Sequence, residues 1–184
     1  MKTFRKLRRA IVITLVLLFS MVAPLQLNQA APAFARAAVG EPLVFDDPEA
    51  IFEDARVVFN VTVNEEKGMR VHAKFRLRYG KGVPCMMIAY FYYDDARNTP
   101  LRANSDPDYR AYRTTNNQVS AKTNFTPAYD PAVYNDLQLF IPYAALNMAR
   151  DDTYQLKFYL ALYDKEGERT FGKSGWYKFH LTMP

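Results

Sequence analysis

The chain has 184 residues, which is enough for one domain with its own hydrophobic core but short for two domains. Five basic residues near the N-terminus account for the whole excess of 24 Lys+Arg over 19 Asp+Glu, so the rest of the chain is formally neutral. That balance gives no support to binding of a nucleic acid. The single cysteine, Cys85, excludes an intramolecular disulfide.

The first 37 residues have the order of a secretory signal peptide. A basic head that ends at Arg9 precedes a mostly apolar, uncharged run from Ala10 to Pro24, and small residues follow. Cleavage is expected after Ala37, with Ala35 as the alternative. An uncleaved membrane anchor is the other interpretation, but the run is shorter than the ~20 apolar residues of a spanning helix. We therefore expect a secreted or periplasmic protein, membrane-anchored only if the signal stays uncleaved.

The next residues, 38–55, are expected to form a polar leading segment with one helical turn in "DPEAIFED", capped by Asp47. A single domain is predicted over 56–184, because apolar residues there recur at every second position, as they do in β-strands. A short helical turn is expected after Pro142, at 143–149. Strands are predicted at 56–63, 69–79, 85–93, 117–125, 136–142, 153–163 and 175–183.

Two of these strands indicate the architecture. The strand at 69–79 alternates perfectly, with apolar residues from Met69 to Tyr79 on one face and basic residues on the other, which is typical of a half-buried antiparallel strand. The strand at 85–93 is apolar or aromatic on both faces, as in a central strand. The sequence therefore predicts an all-β fold, an antiparallel β-sandwich of about seven strands. Its general form is similar to immunoglobulin-like or C2-like sandwiches.

One motif points to nucleotide binding and is rejected. "GERTFGKS", residues 167–174, fits the P-loop pattern at every fixed position. A P-loop leads into a helix whose N-terminus holds the phosphates, whereas "GWYKFHLTMP" alternates as a strand and then stops. We interpret residues 164–175 as a turn that joins two antiparallel strands, and we expect no nucleotide and no other cofactor.

The other chemistries have weak signals. His72 and His180 are the only histidines and both occupy outward positions, so neither a zinc site nor a catalytic triad is supported. A calcium site is the open alternative, in which carboxylates of three loops meet at one end of the sandwich. Its ligands would be Asp94, Asp95, Asp106, Asp108, Asp164 and Glu166. Local hydrogen bonding of loop aspartates is the simpler interpretation, and the metal stays unknown.

Aromatic residues supply the candidate binding surfaces. The segment 94–135 is long for a connection, which is usual for functional or disordered loops, and its aromatic content argues against disorder. Tyrosine and arginine are common among binding hot spots. The candidate binding residues are therefore Tyr109, Arg110, Tyr112, Arg113, Tyr129 and Tyr134. A second tyrosine set, on outward strand positions, comprises Tyr90, Tyr92, Tyr159 and Tyr163.

A third candidate is the row of basic side chains on the strand at 69–79. It runs from Arg70 to Arg78 and is interpreted first as a solvated face that pairs with acids on neighbouring strands. Binding of an anionic polymer or of lipid headgroups is the alternative interpretation.

Together these features predict a secreted or periplasmic, non-catalytic β-sandwich that binds another protein or a cell-envelope component. A carbohydrate-binding module, with or without calcium, is the alternative, because flat aromatic rings suit sugars. A hydrolase is the third hypothesis.

Overall fold

In the computed structural model, residues 47–184 are described, and they form eight β-strands. The expected signal peptide and the first half of the leading segment lie outside this range. Within it, no helix combines the length and the hydropathy that crossing a bilayer requires. Short 3-10 turns occur at Pro107–Tyr112 and Tyr143–Ala145. The strands are β1 Glu49–Val63, β2 Glu66–Arg78, β3 Cys85–Tyr93, β4 Ser120–Phe125, β5 Ala132–Pro142, β6 Thr153–Asp164, β7 Arg169–Lys173 and β8 Tyr177–Thr182.

The strands form two antiparallel sheets, which confirms the predicted sandwich. The first sheet has the order β1-β2-β5. The second has the order β4-β3-β6-β7, and β8 pairs with the other half of β6, beside β7. The first, second and fifth strands thus face the third and sixth, which is the immunoglobulin-like arrangement.

The core fills the space between the two inner faces. The inward residues of β2 that the alternation predicts, from Met69 to Leu77, are almost completely buried. Phe75 lies against aromatic rings of both sheets, stacking on Tyr134 of β5 at 4.7 Å between centroids and meeting Phe125 of β4 edge-on at 5.7 Å. Packing of these large rings contributes to stability in a chain whose one cysteine is free.

The predicted helical turn at 47–54 is wrong, because β1 begins at Glu49. Pairing with β2 extends to the Glu49–Arg78 pair, so strand β1 occupies the second half of the expected leading segment. Glu53 bridges Lys74 at 2.9 Å and Arg76 at 2.6 Å on the neighbouring strand. Cross-strand hydrogen bonds and ion pairs outweigh the weak helical preference of one capped turn.

The last connection also differs from the prediction, since it contains strand β7 between residues 164 and 175. Tyr79, which the alternation places inward, is instead 46% exposed and has a φ of 56°. Its backbone N–H donates to the Asp130 carboxylate at 2.9 Å, which holds the chain in a turn directly after β2. The inward row therefore ends at Leu77.

Replacing Phe75 by alanine tests the core. We expect the free energy of unfolding to fall by about 3–5 kcal/mol, because the cavity left among aromatic rings of both sheets cannot collapse fully. The measurement is urea unfolding followed by circular dichroism. Val133→Ala is the control, since Val133 is 56% exposed and its loss should cost less than about 0.5 kcal/mol. A Phe75→Ala loss no larger than that of the control would contradict this core.

Candidate functional site

The outer face of the second sheet carries four aromatic rings in mutual contact, here called the aromatic patch. They are Tyr90 and Tyr92 of β3, Tyr159 of β6, and Trp176 between β7 and β8. Tyr159 stacks on Tyr90 at 5.2 Å and on Tyr92 at 5.9 Å between centroids. Trp176 stands almost perpendicular to Tyr92 and Tyr159, at 5.0 and 5.3 Å. The tyrosines thus form a floor, and the indole, 43% exposed, forms a wall beside it.

The strand register brings the floor of the patch together. Tyr90 pairs directly with Tyr159 across β3 and β6, and the residues on either side in each strand point into the core. Because side chains alternate along a strand, two inward-facing rows force their neighbours onto one outer surface. The stacked tyrosines are therefore a consequence of the same alternation that builds the core.

A β-bulge brings Trp176 to the wall. Phe158 of β6 pairs with Tyr177, and Ala161 pairs with Lys173, so residues 174–176 oppose only residues 159–160. Ser174 fixes the bulge, because its backbone N–H donates to the Leu160 carbonyl at 2.9 Å while its hydroxyl accepts from the Leu160 N–H at 2.8 Å. The extra residue points the indole outward over the tyrosines.

Two amines hold one carboxylate beside the patch. Lys157 is 6% exposed; its amine donates to the Asp95 carbonyl at 3.0 Å and lies 3.4 Å from the Asp94 carboxylate. The same amine lies 5.1 Å from the centre of the Trp176 ring, a cation–π contact. Lys178 binds the other Asp94 oxygen at 3.0 Å. Mainly Lys178, and then Lys157, lowers the pKa of Asp94 below its ordinary value of 3.8.

Two tyrosines of the patch, Tyr90 and Tyr159, have a raised pKa. Burial raises the pKa of Tyr90, with a smaller contribution from Tyr92. Burial, and then the adjacent Tyr92 hydroxyl, raises the pKa of Tyr159 far above its ordinary value of 10.0. Tyr90 and Tyr159 therefore present rings and hydroxyl groups without charge at neutral pH.

The candidate residues of segment 94–135 do not form one surface. Tyr109 and Tyr112, in the first 3-10 turn, and Tyr134, on β5, pack against the core. The Arg113 guanidinium donates to the Asn104 carbonyl at 2.9 Å, a contact within the same segment. Arg110 and Tyr129 are exposed, Tyr129 to 75%.

Tyr109 also lines an open cleft of about 620 Å³ at one end of the sandwich. Lys67 and Arg150 contribute basic side chains to this cleft, and Asp106 contributes a carboxylate. Its lining thus combines both signs of charge with apolar groups, and no cluster of like residues singles out one ligand chemistry.

The basic row of β2 pairs largely as the simpler interpretation predicts. Glu53 pairs with both Lys74 and Arg76, and His72 bonds to the Asp136 carboxylate at 2.5 Å. His180 lies on β8 of the other sheet, so the two histidines do not share a site.

The loop carboxylates that the calcium alternative would bring together do not meet. Asp94 follows the C-terminal end of β3, whereas Asp164 pairs with Cys85 at the opposite end of that strand. Asp106 accepts the Asp108 N–H at 3.0 Å, and Asp164 accepts those of Glu166 and Gly167 at 3.0 Å. Among residues 47–184, no group of three metal-ligating side chains comes together.

The P-loop motif has the geometry of a strand. Arg169–Lys173 forms β7, and Lys173 stands 4.2 Å from the centre of the Tyr159 ring, in the aromatic patch. No helix follows Lys173 in the described part of the chain, where β8 comes next. Lys173, the lysine of the P-loop pattern, therefore lies beside the aromatic patch.

Sequence analysis found three of the four rings but missed Trp176 and the lysines. The inward assignment of Tyr177 already implies that its neighbour Trp176 points outward. The contact of that ring with Tyr92 and Tyr159 depends on the bulge, which one sequence does not reveal. Lys157 and Lys173 join the patch because their amines lie over its rings.

Comparisons with known proteins assign no family to the chain. No protein-family model matches the chain, and no curated protein matches it significantly. Among solved structures, an adhesin from the bacterium Mobiluncus mulieris that contains disulfide, isopeptide and ester cross-links is similar over 76% of this chain, with 13% sequence identity and a TM-score of 0.40. The match spans 58% of that adhesin chain. Similarity this low assigns neither a ligand nor a partner.

Replacing Asp94 by asparagine tests the support beneath the patch. We expect a lower melting temperature at pH 7, because the almost buried Lys157 loses its carboxylate. The pKa of Asp94 is lowered in the fold, so its contribution is present above pH 3.8 and disappears as the pH falls through the folded value. The gap between the two proteins should therefore close in acid, as measured by thermal unfolding from pH 2 to 8.

Asp151→Asn is the matched control, since Asp151 is exposed and none of the ion pairs among residues 47–184 includes it. A gap for Asp94→Asn that is as wide at pH 2 as at pH 7 would show that its charge does not support Lys157.

Proposed function

We propose that this chain is an exported, non-catalytic binding module whose aromatic patch binds carbohydrate of the cell envelope. The observation that carries the proposal is the arrangement of Trp176 as a wall over a floor of stacked tyrosines on an outer sheet face. Flat rings present apolar faces to the C–H groups of a sugar, and the tyrosine hydroxyls are available for hydrogen bonds.

The chemistry of the nucleophiles supports a non-catalytic role. Burial raises the pKa of the Cys85 thiol to about 11, so almost no thiolate is present at neutral pH. His72, which bonds to Asp136, is on the sheet opposite to that of Cys85. No serine hydroxyl in residues 47–184 bonds to a histidine.

A protein partner at segment 94–135 is the second candidate. Its support is the exposure of Arg110 and Tyr129, since both residue types are common in binding hot spots. The ring patch has the stronger support, because its members touch one another, whereas Tyr109 and Tyr112 are partly buried and pack against the core.

Fluorescence titration tests the patch directly, because Trp176 is the only tryptophan and all indole emission comes from it. We expect hexasaccharides such as cellohexaose, chitohexaose or galacturonate hexamers to change its intensity or wavelength in a saturable way. Tyr92→Ala should weaken the affinity of the ligand found about ten-fold, equivalent to ~1.4 kcal/mol. The absence of a response to any glycan would remove the proposal.

Two further variants separate the patch from the loop. Tyr129→Ala is the control for loss of an exposed tyrosine and should leave the affinity unchanged. The double variant Tyr109→Ala, Tyr112→Ala should lower the melting temperature but retain the affinity, because both rings pack against the core. Loss of glycan binding in that folded double variant, with full binding in Tyr92→Ala, would move the site to segment 94–135.

A further inference from the structure

The outward strand positions around the aromatic patch carry four lysines. Lys122 lies on β4, Lys157 on β6, Lys173 on β7 and Lys178 on β8. The register sets Lys122 and Lys173 at the two ends of one row, with Ile88 and Ala161 between them, adjacent to the stacked tyrosines.

Only part of this positive charge is neutralised. Asp94 takes contacts from both Lys157 and Lys178. By contrast, none of the carboxylate oxygens in residues 47–184 lies within 4.0 Å of the amines of Lys122 and Lys173. Asp94 thus pairs with two of the four ammonium groups, and the face has an excess of positive charge although the chain beyond its N-terminal head is neutral.

From this juxtaposition we infer that the aromatic patch selects an acidic polysaccharide, one that carries carboxylate or phosphate groups along its sugar chain. The inference rests on the proposed function and names its ligand class. A sugar that stacks on Tyr159 brings its substituents next to the Lys173 amine, which already lies 4.2 Å from the ring centre. Lys122, on the opposite flank, is placed to meet a second acidic group along the same polymer.

The shape of the surface favours a polysaccharide over a membrane. Insertion into a bilayer requires protruding apolar side chains. The large hydrophobic residues that are well exposed in residues 47–184 are Ile51, Phe59, Tyr79, Tyr129, Val133 and Trp176, of which only Trp176 belongs to the patch. The tyrosines lie half-buried against one another. A ligand must therefore come to the rings, as a sugar chain does.

The test compares one polymer with its own uncharged form. The purified protein is titrated with hexagalacturonate and with its fully methyl-esterified form, and Trp176 emission is followed. We expect the acid to bind about ten-fold more tightly at 50 mM salt, and the difference to shrink strongly at 500 mM salt because screening weakens exposed charge contacts. Tyr92→Ala should weaken binding of both ligands.

Replacing Lys173 by glutamine measures the contribution of its charge independently of the contribution of the rings. Lys173→Gln should weaken binding of the acid about five-fold and binding of the ester less than two-fold. Lys81→Gln, in the exposed turn between β2 and β3, is the matched control and should change neither.

The outcomes distinguish the inference from the proposed function. Equal affinity for acid and ester overturns the acidic ligand but leaves a sugar-binding patch. If Trp176 emission responds neither to these two ligands nor to any neutral glycan, both the inference and the proposed function are overturned. A further outcome is that the protein sediments with vesicles of phosphatidylglycerol and phosphatidylcholine, loses this binding in Trp176→Ala, and gives no response to hexagalacturonate. That result would assign the face to an anionic membrane and overturn the inference.

Discussion

The pairing of β3 with β6 is the constraint on which both the core and the candidate site depend. The Tyr90–Tyr159 pair faces outward, and the neighbouring Ala89–Leu160 pair is buried. A slip of one residue in this register would exchange the two faces, putting apolar core residues in water and the tyrosines in the core. The site therefore needs no dedicated scaffold, because the free energy that fixes the core also fixes the floor of the patch.

The fold was largely predictable because its signals are local and periodic. The alternation from Met69 to Leu77 and from Leu156 to Leu162 specifies which face each strand buries, and the apolar run at 85–93 identifies a central strand. The errors occurred where pairing partners decide the structure. β1 reaches back to Glu49 because β2 offers hydrogen bonds along its full length, and β7 exists because half of β6 would otherwise have a free edge.

The site was predictable only in part. Tyr90, Tyr92 and Tyr159 follow from alternation, whereas Trp176 depends on a one-residue bulge fixed by Ser174. Segment 94–135 drew attention because it is long and aromatic. Tyr112 and Tyr134 instead bury their rings against the core, Tyr134 by stacking on Phe75. Composition reveals how many aromatic residues a segment has, but burial decides whether they are available to a ligand.

The lysines near the patch divide into two kinds, those held by several contacts and those that are exposed. Lys157 is fixed by Asp94, by the Asp95 carbonyl and by the Trp176 ring, so it belongs to the structure of the wall. Lys173 is exposed, and its described contact is the face of Tyr159. An exposed cation–π contact is worth only about 0.5–1 kcal/mol. In the proposed mode of binding, an acidic group therefore draws the amine from the ring at little cost, which leaves that ring face to the sugar.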